Sequence, residues 1–217
     1  MMNSTEKWRA YYSPVGRIRM LAGNPALDLA NTLHWRDGAL LDFVTSYDSM
    51  VNWAEAAGLV SEAEKIWLLA RAGHHIEHAG AIHRQWQDLR TALKAWLPTV
   101  NGKDQTSWHG HVDEPAAQAL ITKIRALTNN ATLAAYFAIE NTEDGSAAIE
   151  LPLLRSATAI WTLMTFPPAG FIRQCEADSC GGYFVDQSRA KPRRWCSMDG
   201  CGNRMKADRF RKSNARK

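Results

Sequence analysis

Apolar residues recur at helical spacing along most of the chain. Ile82, Trp86, Leu89, Leu93 and Trp96 step by four and three, the stripe that one side of a helix turns to a core. Tyr47, Met50, Val51, Ala54 and Ala57 form a second stripe, which Gly58 ends and which Thr45 and Asp48 are placed to cap. Ser61 and Glu64 make the next capping box. Helix is expected from there for most of the way to Pro98, with a break at Gly73 or Gly80. Leu120, Ile121, Ile124 and Leu127 predict a further helix, with Asp113 as its cap and Pro115 in its first turn. ALDLANTLHW is a short helix by the same reasoning, and residues 1–24 show no clear period. The period changes at LAAYFAIE and AAIEL, which flank the turn-like NTEDGS and predict a β-hairpin. A helix from about Pro152 to Thr165 follows and stops before Pro167-Pro168. The expected fold is therefore mostly α. A helical domain with a small β-hairpin spans residues 1–168, and a small unit spans 169–217.

Composition narrows the class. The 217 residues are 46% hydrophobic, enough for one sizeable core and a small second module. No apolar run approaches the roughly 18 to 20 residues that span a bilayer, and MMNSTEKWRAYYSPVGRIRM lacks the apolar centre of a secretory signal. The expectation is a cytoplasmic protein without membrane contact, where thiols stay reduced. The net charge of +4 is unevenly spread: residues 171–217 hold 12 Lys/Arg against 5 Asp/Glu, whereas residues 1–170 hold 14 against 17. A small module with a surplus of seven positive charges calls for a polyanionic partner.

All four cysteines lie in that module as C-x4-C, fifteen residues, C-x4-C: Cys175, Cys180, Cys196 and Cys201. Gly181-Gly182 and the glycines flanking Cys201 supply turns in which two sulfurs can approach one ion. A soft four-sulfur set suits one zinc per chain best; an iron-sulfur cluster or two disulfides are the other readings. Four thiolates close the coordination shell, so the ion would be structural rather than catalytic. GGYFVD reads as a strand leaving the first turn and GNRMKADRFRK as a helix leaving the second, a treble-clef-like arrangement of hairpin and helix. On that helix Ala207 and Phe210 share one side. Arg189, Lys191, Arg193, Arg194, Arg204, Lys206, Arg209, Arg211 and Lys212 are the candidate nucleic-acid contacts, and duplex DNA is the expected partner.

RRWCSMDGCGNRMK, preceded by CGGYFVDQSR, resembles the CGNR zinc-finger family of bacterial stress-induced transcription regulators, named for Cys201-Gly202-Asn203-Arg204. Its members carry an N-terminal ABATE domain. ALDLANTL resembles the leading motif of that domain, and Trp53, Gly58 and Leu59 of WAEAAGL match a W-x4-GL segment. The resemblance implies DNA binding by the finger and sensing of a ligand or partner by the helical domain. Lys191-Pro192 departs from the short polar or basic pair expected before Arg193.

Asp28, Asn31 and Thr32 share one face of the first helix and are read either as a candidate pocket for a small-molecule effector or as hydrogen-bonding caps. His74, His75 and His78 lack the H-E-x-x-H order and a third ligand, and His109 and His111 offer less. Trp67, Trp86, Trp96 and Trp161 sit in apolar helical patterns and are expected in the core, as is Trp195 within the finger. No nucleophile elbow, phosphate loop or dinucleotide fingerprint occurs, so no enzyme is expected. A single small module reads about three base pairs, which makes a homodimer the expected assembly. Two alternatives remain: an RNA-binding protein, or a small-molecule-binding domain whose finger is an interaction module.

Overall fold

The first helix begins at Asn24, whose side chain accepts the Ala26 amide and so starts α1, Pro25–Asn31. The structure, a computed structural model, describes residues 20–36, 39–103, 108, 113–129, 147–178, 180–189 and 192–214. After α1, strands β1 (Leu33–Arg36) and β2 (Ala39–Asp42) pair antiparallel. Helices α2 (Tyr47–Ala56), α3 (Glu62–Ala72), α4 (Ile76–Val100) and α5 (Pro115–Asn129) follow. A 3-10 turn, Ala147–Glu150, leads into α6, Leu151–Thr165. Strands β3 (Phe171–Gln174) and β4 (Tyr183–Asp186) form the second antiparallel hairpin, and α7 (Asn203–Asn214) ends the described chain.

The long stripe of α4 is the centre of the core: Ile82, Trp86, Leu89, Leu93 and Trp96 are all buried. Trp86 meets Trp53 edge-on at 5.4 Å and donates its Nε1 to Ser156 Oγ of α6 at 3.1 Å, satisfying the one polar atom such a ring carries into a core. Arg90 is buried on the same helix. It is held by Asp42 through two bonds of 2.7 and 2.6 Å, by Thr32 Oγ1 at 2.9 Å and by the face of Trp86. This fork pins the β1–β2 hairpin and the end of α1 to α4.

Several expectations change. The N-terminal domain's β-hairpin lies at residues 33–42; AAIE at 147–150 is helical instead, and LAAYFAIE lies outside the described residues. The cap of α2 is the box Ser46/Ser49, one residue beyond Thr45/Asp48, because Ser46 has the extended backbone an N-cap needs. The Ser61/Glu64 box forms as expected and the break falls at Gly73. Trp86 and Trp96 are core, Trp67 is half-buried against it, and Trp161 is 46% exposed, since α6 turns that position outward.

A four-cysteine metal centre and the candidate nucleic-acid surface

Two tight loops build the metal centre. The first joins β3 to β4: the Cys175 amide donates to the Gly182 carbonyl at 2.7 Å and the Cys180 amide to that of Ala177 at 2.8 Å. Gly182 lies so close to its neighbours that a Cβ would sit 3.3 Å from Asn31 Oδ1 and 3.4 Å from Cys180 Sγ. The second loop is a π turn, Met198–Gly202, capped by Ser197, whose hydroxyl accepts the Gly200 amide. It delivers Cys201 to the start of α7. The Glu176 amide donates to the Arg194 carbonyl at 2.9 Å and ties the two loops together.

The four sulfurs lie within 4.8 Å of one another, with Cys180–Cys196 at 3.8 Å and Cys196–Cys201 at 3.6 Å. Zinc–sulfur bonds of about 2.3 Å in a tetrahedron place sulfurs about 3.8 Å apart, so the donor set fits one structural zinc. Hydrogen bonds among the four thiols couple their protonation. Hydrogen bonds from the other three hold Cys175 far below its ordinary value, while those with Cys175 and Cys180 push Cys196 and Cys201 up. A dication would release these protons and hold all four as thiolates. The Cys196 amide points at Cys175 Sγ and Arg204 Nη2 at Cys201 Sγ, both at 3.4 Å, offsetting charge left on the sulfurs. Among the described residues this is the one cluster of ligand atoms close enough to hold an ion. His78 instead faces Glu150 at 3.4 Å, and His109 and His111 lie outside the described residues.

The centre is seated on the helical part of the molecule. Asn31 clamps β4 from both sides, donating from Nδ2 to the Tyr183 carbonyl and accepting the Tyr183 amide at Oδ1, each at 2.8 Å. The Val185 amide donates to the Ala22 carbonyl at 2.8 Å, the Gly102 amide to that of Ile172 at 2.7 Å, and the Gln174 amide to Asn101 Oδ1 at 2.9 Å. Ile172, Tyr183 and Val185 belong to the main core, whereas Phe184 points the other way to join Cys175, Ala177 and Cys201. Lys94 of α4 donates to the Leu33 carbonyl at the start of β1 at 2.6 Å and to the Ala30 carbonyl near the end of α1 at 3.4 Å. Burial lowers its pKa first and Arg90 second, while nearby Cys180 acts against both. Lys94 and Asn101 carried no sequence signal as parts of this seat, because partners some 70 to 90 positions away meet only in the fold.

Asp28, Asn31 and Thr32 come together as the sequence pattern placed them. Asp28 Oδ1 accepts the Leu21 and Ala22 amides, both at 3.0 Å, and burial raises its pKa to about 6. The three residues line a cavity of about 30 Å³ that Trp53, Cys180 and Cys196 also border. That is room for about two waters.

The candidate cations divide into two sets. Arg193 donates to the Cys196 carbonyl at 2.7 Å and lies over the Phe184 ring, Arg194 pairs with Glu176 at 2.6 Å, Arg211 pairs with Asp208, and Arg204 turns inward to Cys201. Arg189, Lys206, Arg209 and Lys212 are exposed and form no ion pair among the described residues. Lys191 lies outside the described residues. Trp195 packs against the finger's small core, and the guanidinium groups of Arg194 and Arg209 lie 5.4 and 5.9 Å from its ring centre.

A β-hairpin, two cysteine loops and a C-terminal helix around four thiolates define a structural zinc finger carried by a helical domain. In comparison with known families, residues 23–165 match ABATE, described as "Putative stress-induced transcription regulator", and residues 172–214 match the CGNR zinc finger. The chain belongs to the ABATE family and carries a CGNR finger. No curated protein and no solved structure matches it. Among the described residues, no helix is long and apolar enough to cross a membrane.

Proposed function

We propose that the protein is a DNA-binding transcription regulator, in which the zinc-held finger grips the phosphates of duplex DNA and the helical domain passes a ligand or partner signal to it. The observation that carries this reading is the division of the finger's cations. Arg193, Arg194, Arg204 and Arg211 are spent on internal partners, yet Arg189, Lys206, Arg209 and Lys212 stand in solvent without a counter-charge among the described residues. Such a set is what displaced phosphate counterions require. The Asn31 clamp supports the sensing role: anything that shifts α1 shifts Tyr183 and, through Gly182, the loop of Cys180. Binding alone would then be the protein's task, with no catalytic step.

The test is the salt dependence of duplex affinity, measured by fluorescence anisotropy on zinc-loaded protein. Three to four of these cations placed in the phosphate field give a slope of log affinity against log salt of about −3 to −4. Arg209→Ala together with Lys212→Ala is expected to reduce the slope by about two. Binding that ignores salt, or tighter binding to structured RNA than to duplex DNA, would reject the reading.

A further inference from the structure

Helix α7 carries a surface that the internal contacts of the finger leave unused. None of its residues is buried. Arg204, Met205 and Asp208 are half-buried and mark the side that faces the zinc centre, Met205 packing against it and Arg204 reaching Cys201. On the opposite side Asn203, Lys206, Ala207, Phe210 and Asn214 recur at i, i+3, i+4, i+7 and i+11, an arc of about 100°. All five are exposed, Phe210 at 67%. Arg209 and Arg211 border this stripe on its two sides.

The composition of the stripe is unusual for a solvated face. It holds one cation and no acid, two amides, a methyl group and an aromatic ring. Phe210 and Ala207 together make a small apolar patch on a stripe otherwise formed by two amides and one cation, with no acid to repel a polyanion. Each of these side chains has a partner on a base edge: Asn pairs bidentately with adenine N6 and N7, Lys donates to guanine O6 and N7, and Ala or Phe packs on the thymine methyl. On one border Arg209, exposed and without an ion pair among the described residues, is placed as a phosphate clamp would be, while Arg211 on the other is held by Asp208. A 12-residue helix is about 18 Å long. Its width of about 10–12 Å fits the roughly 12 Å major groove of B-DNA, whereas the deep, narrow major groove of A-form RNA excludes it.

We propose that α7 is a recognition helix: Asn203 and Lys206, in its first turn, read adenine and guanine in the major groove, and Phe210 reads a thymine methyl one turn further on. This rests on the DNA-binding reading above and adds to it the residues that discriminate sequence. The zinc centre then sets how far the helix stands from the groove floor, because Cys201 lies only two residues before Asn203, the first reading residue.

The experiment uses the full-length, zinc-loaded chain. A preferred duplex is selected from a random pool, and its affinity is compared with that of a shuffled duplex. Asn203→Ala and Phe210→Ala are expected to lower the ratio of these two affinities by roughly 5- to 150-fold each. Zinc content reports that each variant is folded. Base analogues give the matching readout. Replacing the contacted thymine by deoxyuridine removes only its methyl group and should weaken the wild-type protein but not Phe210→Ala. 7-Deazaadenine removes one acceptor and should weaken the wild type but not Asn203→Ala. Equal losses on selected and shuffled duplexes, or analogue effects that persist in the variants, overturn the recognition helix and leave phosphate binding standing. A failure of the wild-type protein to bind any duplex, or a preference for structured RNA, overturns both.

Discussion

Asp28 shows how one side chain links charge to packing. Its carboxylate accepts two backbone amides, yet burial outweighs them and raises its pKa to about 6 from 3.8. The folded state therefore binds more protons than the unfolded state between these values, and stability falls as pH rises through the window. Asp28→Asn keeps an oxygen for the two amides and does not titrate. Relative to the wild type, this variant is expected to gain about 1 kcal/mol between pH 5 and pH 7, read from urea unfolding at each pH. A constant difference across that range would mean that the carboxyl is better solvated than its position implies. Arg204 is the complementary case. A charge that sequence pattern assigns to DNA faces Cys201 Sγ at 3.4 Å, so its loss is expected to weaken zinc retention against a competing chelator.

At the scale of elements, the β3–β4 hairpin has two apolar faces. Ile172, Tyr183 and Val185 are buried in the main core, while Phe184 fills the finger's own. A buried strand of this kind reads as a continuous apolar run, and Tyr183–Asp186 is buried along its whole length. The chain enters the hairpin at Gly170, whose φ of 134° is open to glycine alone. A Cβ there would stand 2.5 Å from the Asp186 carbonyl oxygen. Gly170→Ala is expected to cost about 2–3 kcal/mol in thermal or urea unfolding and to loosen zinc, because the displaced strand carries Cys175 at its end. An unchanged melting midpoint would show that the entry to β3 relaxes freely.

For the molecule as a whole, the two family units share a core across the Pro167-Pro168 segment. Removing zinc should therefore be felt beyond the finger. Cys196→Ser, or chelation of the reduced protein, is expected to release the hairpin, and exposing Ile172, Tyr183 and Val185 would then lower the stability of the helical part by at least about 2 kcal/mol. The near-ultraviolet signal of the buried Trp53, Trp86 and Trp96 reports that part directly. A helical domain that unfolds at the same urea concentration with and without metal would show two independent folding units.

The sequence alone determined the elements whose signal is local. Periodicity located α2, α4, α5 and α6, the Ser61/Glu64 box started α3, and C-x4-C twice identified the metal ligands, because turns and helix faces depend on residues within a few positions of one another. The same pattern grouped Asp28, Asn31 and Thr32 on one face. Only the tertiary structure decided what that face does, since Asn31 meets Tyr183 across 152 positions and Asp28 takes amides from a loop without periodicity. It also moved the N-terminal hairpin to residues 33–42, where the buried fork of Arg90 and Asp42 holds two short strands. Cation counts could not divide the arginines either. Whether a guanidinium meets Glu176, a carbonyl, a thiolate or solvent depends on partners that the fold alone brings within hydrogen-bond reach.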